Sequence, residues 1–159
     1  MVTTYSDKSF VVVRPQEAGE VFEDVREGQS YFEGVSALAE KGLDLGFEVG
    51  EDGKRKFLPY KNITYGEAQE FCRTAVGEVS KCDIGENKGQ WWIRNLKALK
   101  MLTDAYSVSL KYTNPWYNSY VWWASQEGLL TDDFTNKKWF TRGEMAQLTW
   151  NFIQFDVRQ

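Results

Sequence analysis

Apolar residues recur three and four positions apart along five stretches of the chain, the spacing that lays them on one face of an α-helix. The first predicts a helix from about Ser30 to Glu40, with Phe32, Val35, Leu38 and Ala39 on its apolar face. Ser30 and Glu33 fit an N-terminal capping box, and Gly42 marks the stop. The second runs from Thr64 to about Val76. It places Ala68, Phe71, Cys72 and Ala75 on a stripe, repeats the box with Thr64 and Glu67, and ends at Gly77. The third, about Gln90 to Tyr106, carries Trp92, Leu96, Leu99 and Leu102 but no cap. The fourth opens with Asn114 as N-cap and Pro115 at the first helical position, where a missing N–H costs nothing, and buries Tyr117, Tyr120, Val121 and Ala124 before Gly128. The fifth opens at Thr141 with Glu144 completing the box, and continues through Met145, Leu148, Thr149 and Phe152. No strand-like run exceeds "FVVV" at 10–13, so the expected fold class is all-α.

The loops add a second regularity. A long polar loop rich in Gly joins the first two helices, and a shorter one, "GLLTDDFTNKKWF", joins the last two. Both pairs share a grammar: an amphipathic helix ends in Gly-Leu, an aromatic stands late in the loop, and a Thr-x-Gly-Glu box opens the second helix. Such an internal repeat predicts units that bury their faces against one another. The chain divides into an N-terminal extension (1–20), a first repeat (21–80), an intervening segment (81–110) and a last repeat (111–159), all in one domain.

Composition narrows the function. At 159 residues, with 42% hydrophobic and 16% aromatic residues, the chain can bury a core and still leave rings at the surface. A net charge of -4, with no basic cluster longer than "GKRK" (53–56), argues against a nucleic-acid partner. No run is long enough to span a membrane, and the N-terminus does not read as a signal peptide. That fits either a cytoplasmic protein or a domain of a longer exported precursor. Cys72 and Cys82 could pair, or Cys72 could be a buried thiol on its helix stripe. With no His, no Cys-x-x-Cys, no nucleophile elbow and no phosphate loop, neither metal, cofactor nor catalysis is expected.

The order of these motifs resembles the S-layer homology domain. The segments "VFEDV" (21–25), "YFEGVSALAEKGLDLGF" (31–47), "EDGKRKFLP" (51–59) and "NITYGEAQEF" (62–71) follow that family's repeat, and residues 114–148 follow it again with a trimmed loop. That family commonly shows three repeats, and the resemblance makes residues 81–110 a degenerate middle one, with only "WIRNLKALKML" where the family has a Thr-Arg-Ala-Glu helix start. The resemblance implies a pseudo-threefold helical bundle and a non-covalent cell-surface anchor for an anionic secondary cell-wall polysaccharide, typically with a pyruvylated terminal sugar. Its implied place is the bacterial cell surface or wall, with other surface-layer subunits as further partners. A contrasting expectation is an assembly module of the same fold that has lost sugar binding, as Tyr65 in place of the family's Arg would allow.

The candidate ligand residues are Arg142, Thr141, Gly143, Trp139 and Tyr65. Arg142 stands out because a cation in a helix's first turn opposes the macrodipole; a carboxylate ligand on its planar fork would account for it, as would solvation or pairing with Asp132 or Asp133. Trp139, and with less weight Trp122 and Trp123, offer faces for a sugar or for packing. Thr64, Glu67, Glu144, Ser30 and Asn114 are expected to cap helices, each box contributing about 1 kcal/mol.

Overall fold

The structure is a computed structural model that describes residues 21–45, 47–83, 85, 89–131, 134 and 138–158. The extension with its "FVVV" run and the pair Asp132 and Asp133 lie outside the described residues. Among the described residues, five α-helices form where the apolar periodicity lies: α1 (Phe32–Glu40), α2 (Tyr65–Val76), α3 (Asn95–Ala105), α4 (Tyr117–Gln126) and α5 (Arg142–Arg158). A 3-10 turn, Val79–Lys81, stands between α2 and α3. Among the described residues, extended backbone pairs only as isolated bridges, so the fold is all-α.

Three of those bridges organise the molecule. Segments 62–64, 92–94 and 139–141 meet around one point: Ile63 N–H donates to the Phe140 carbonyl at 2.9 Å, Phe140 N–H to Ile93 at 3.1 Å, and Ile93 N–H to Ile63 at 3.0 Å. The cycle closes on itself. Ile63, Ile93 and Phe140 point into the core, and each segment runs directly into α2, α3 or α5. The three helix starts are therefore equivalent positions on a pseudo-threefold axis, with Thr64, Arg94 and Thr141 matched at the N-cap. Around this hub, α1 packs on α5, α4 packs on α3, and the 3-10 turn packs on α2. Each unit thus covers its neighbour's second helix.

Among the described residues of the middle repeat, a 3-10 turn stands where the others have a first helix. It is held covalently, because Cys72 on α2 and Cys82 after the turn are disulfide-bonded. Of the two alternatives left open by the sequence, pairing holds and the free thiol does not, although Cys72 is buried on the helix stripe as its spacing suggested. Gln69 Nε2 donates to the Cys82 carbonyl at 2.8 Å beside it.

Two expected caps are not formed. The N-cap of α1 is Tyr31 and makes no side-chain cap bond; the helix grows from a turn in which Phe32 N–H donates to the Gln29 carbonyl, leaving Ser30 outside. At α4 the N-cap is Trp116, not Asn114, and the Asn114–Pro115 peptide is cis. There the Thr113 hydroxyl accepts from Ser119 N–H at 3.2 Å, so the side-chain cap comes from one residue earlier. Helix α3 also starts later than its pattern suggested. Residues 92–94 are taken into the hub, which leaves Trp92 exposed rather than on the helix stripe.

Candidate ligand-binding cleft

The loop of the first repeat is shaped by its "VFEDV" motif. The Asp24 carboxylate accepts from the Phe57 and Leu58 amides, both at 2.8 Å, and Phe22 packs edge-on against Phe47 and Phe57. Those bonds hold Leu58 at φ 59, a left-handed conformation that costs a non-glycine residue roughly 1–2 kcal/mol. Pro59 is thereby set against the start of α5. Gly143 N–H donates to the Pro59 carbonyl at 2.8 Å, and Arg142 N–H to Lys61 at 2.9 Å. A Cβ on Gly143 would stand 2.9 Å from the Tyr31 ring and 3.1 Å from the Pro59 oxygen, which explains a glycine in the box. The equivalent Gly66 donates to Gly89 at 2.9 Å in the same way.

These bonds change the expectation for Arg142. Its fork is not open to solvent: the residue is 4% exposed, Nη1 donates to the Phe57 carbonyl at 2.9 Å, and Nη2 meets Glu67 Oε2 at 2.5 Å. The amides of Arg142 and Gly143 are occupied too, so the helix end does not present them to an anion. Both boxes do form. Glu67 Oε1 accepts from Thr64 N–H and Glu144 Oε1 from Thr141 N–H, while each Thr hydroxyl accepts from the Glu amide. The second oxygen of each carboxylate takes a cation, Arg142 for Glu67 and Lys138 for Glu144.

A cleft of about 330 Å³ opens between the first repeat and the start of α5. Tyr31, Pro59 and Tyr60 form one wall; Lys138, Thr141, Gly143, Glu144 and Gln147 form the other, with Asn95 and Phe134 also lining it. Among the described residues, Gln147 Oε1, a buried polar atom of these walls, has no hydrogen-bond partner, and the buried Tyr31 hydroxyl has only Tyr60 beside it. Burial, with Tyr60 and Asp24 adding to it, holds the Tyr31 phenol well above its ordinary value, so it stays a neutral donor. The cleft is therefore lined by Lys138 and by Tyr31 and Gln147, whose polar atoms lie buried in its walls. Buried polar groups without partners are uncommon enough to call for an explanation, and a ligand is one.

The sequence candidates are only partly brought together. Thr141 and Gly143 line the cleft, Arg142 lies beneath it, and Trp139 lies outside it, 41% exposed and covered on one face by Arg94 at 4.2 Å. Tyr65 lines a separate depression of about 220 Å³ with Lys81, Lys97, Lys100 and Asp104. Trp123 packs against Phe152 and Phe155, whereas Trp122 is exposed. Sequence reasoning missed Lys138, Tyr31 and Gln147. Lys138 was findable, three residues before the Thr141 cap, but nothing local shows that Tyr31 and Gln147 lie on facing walls.

Among the described residues, no group of three His, Cys, Asp or Glu side chains could hold a metal ion, and no helix is long and apolar enough to cross a membrane. The model of the S-layer homology domain matches residues 21–68, from the Phe-x-Asp-Val motif through the first box. No curated protein and no solved structure matches the chain. Over residues 21–68, within an all-helical fold, the chain is therefore similar to the S-layer homology domain, a family known for cell-surface anchoring.

Proposed function

We propose that the protein anchors itself by holding an anionic secondary cell-wall polysaccharide, with a pyruvylated sugar as the bound unit, in the cleft between the first repeat and α5. The observation that carries this reading is a concave surface that sets Lys138 beside two buried polar atoms, Gln147 Oε1 with no partner among the described residues and Tyr31 Oη with only Tyr60 beside it. A sugar supplies hydroxyl or amide groups that satisfy both at once. Its carboxylate is met by Lys138, which already sits against Glu144 and shifts between the two anions at little cost because the pair is partly solvated. Arg142 serves this site indirectly, fixing α5 against the Phe57 loop that forms the opposite wall. The Cys72–Cys82 disulfide is in keeping with an oxidising, extracellular setting.

Isolated cell-wall sacculi test the reading. The protein should cosediment with them and be released when the secondary polymer is stripped off. Lys138→Ala should weaken binding by about 1–2 kcal/mol, the scale of a charge-assisted bond at a partly exposed site, with little change in melting temperature. Failure to cosediment with intact sacculi would instead mark an assembly module.

A further inference from the structure

The pseudo-threefold hub allows equivalent positions to be compared within one chain, and one set of them is unequal. The residue before the buried hub position is Asn62 in the first repeat, Trp92 in the middle and Trp139 in the last. Packing does not require an aromatic there, because Asn62 occupies the same place and the two indoles remain 52% and 41% exposed. They nonetheless contact each other, edge to face with ring centroids 5.9 Å apart. Arg94 lies over Trp139 at 4.2 Å. It stands at the cap position that Thr64 and Thr141 fill elsewhere, and α3 accordingly has no side-chain cap. A Thr-to-Arg exchange at an N-cap forgoes about 1 kcal/mol of helix stability. The chain thus departs from its own local preference at two neighbouring positions, and both departures build one exposed surface.

That surface adjoins the cleft. Lys138 and Asn95, which line the cleft, are the chain neighbours of Trp139 and Arg94. Resting on the proposed cleft function, we infer that Trp92, Trp139 and Arg94 form a second subsite, a stacking platform for the next sugar units of the same polysaccharide. The two indole faces take the apolar faces of pyranose rings. Arg94 holds Trp139 in place by its cation–π contact and adds positive charge toward an acidic polymer. The ligand recognised is then a stretch of polymer rather than a single terminal sugar. A platform of this kind contributes affinity only to chains long enough to leave the cleft.

Size-fractionated fragments of a pyruvylated cell-wall polysaccharide, of one sugar and of four sugars, test this by titration calorimetry. The parent protein should bind the four-sugar fragment at least tenfold tighter than the single sugar. Trp92→Asn, which installs the residue of the first repeat, should leave single-sugar binding and melting temperature unchanged and remove about tenfold from four-sugar affinity. Arg94→Thr should raise the melting temperature by restoring a cap and still weaken four-sugar binding, so stability and affinity move in opposite directions. Equal affinity for both fragments in the parent protein overturns the platform and leaves the cleft standing, whereas no binding of either overturns both. A concentration-dependent dimer that Trp92→Asn abolishes, with four-sugar affinity intact, overturns the platform in favour of a self-association face.

Discussion

A guanidinium taken out of water has to find acceptors on the protein, and Arg142 finds two, both in the first repeat. Its side chain is 5% exposed and that of Glu67 20%, so the pair belongs nearer to the buried class of ion pairs than to the surface class. Breaking such a pair from one side costs about 3–5 kcal/mol, and the residual solvent access of Glu67 places Arg142→Ala near the lower end. In a chain of this size that is a fall of roughly 6–12 °C in melting temperature, measurable by thermal unfolding. Arg142→Lys should recover only part, since one ammonium does not reproduce a planar fork that reaches a carbonyl and a carboxylate together. An unchanged melting temperature for Arg142→Ala would show that the pair contributes nothing. The sequence made Arg142 conspicuous for a sound reason, its conflict with the helix dipole, but it could not supply the partner. Glu67 lies 75 residues away and was legible only as a cap. A carboxylate has two oxygens, and the box accounts for one.

At the scale of the element, the helices whose starts are written locally were the readable ones. Thr64 with Glu67 and Thr141 with Glu144 close their boxes within four residues, so α2 and α5 begin where the pattern places them. Ser30 and Asn114 have cap chemistry, yet the chain enters α1 and α4 from turns set by Gln29 and Thr113. Trp92 was drawn into a helix by its spacing, and the hub bonds of Ile93 pull it out. The middle repeat could be read as degenerate and Cys72 as a possible partner of Cys82, but not that the pair fastens a 3-10 turn where a helix would stand. For a loop of this length the cross-link contributes about 2–3 kcal/mol, on a model in which it restricts the unfolded chain. Replacing both cysteines by serine should lower stability by that amount in denaturant melts. Amide exchange should quicken first in residues 77–85, while α1 and α5 keep their protection. Uniform acceleration across all helices would mean that the staple serves the whole fold and not this turn.

The family match ends at residue 68, but the folding unit does not. Helix α1 lies against α5 so closely that a Cβ on Gly34 would come within 2.7 Å of the Ala146 carbonyl oxygen. The hub is a cycle of three hydrogen bonds, each joining a different pair of segments, and removing one segment leaves the other two with an orphaned amide and an orphaned carbonyl. Helix α2, in turn, has its first two amides taken by Trp91 and Gly89 of the middle repeat. None of the three units is closed by itself, which is why the repeat grammar could be read along the chain while the arrangement around the axis came only with the family resemblance. The consequence is cooperative. A fragment of residues 21–80, which contains the whole matched segment, should lack a cooperative thermal transition and show less helix by circular dichroism than its share of the parent protein. Adding residues 81–159 as a separate peptide should restore both helicity and a single melting transition, because α5 supplies the surface for α1 and Arg142 the partner for Glu67. The same mixture made with Arg142→Ala should reassemble more weakly, reporting the ion pair as an association constant rather than a melting temperature. A cooperative melt of the 21–80 fragment alone would show that the first repeat folds without its neighbours, and the closed hub would then be a product of docking rather than the condition for folding.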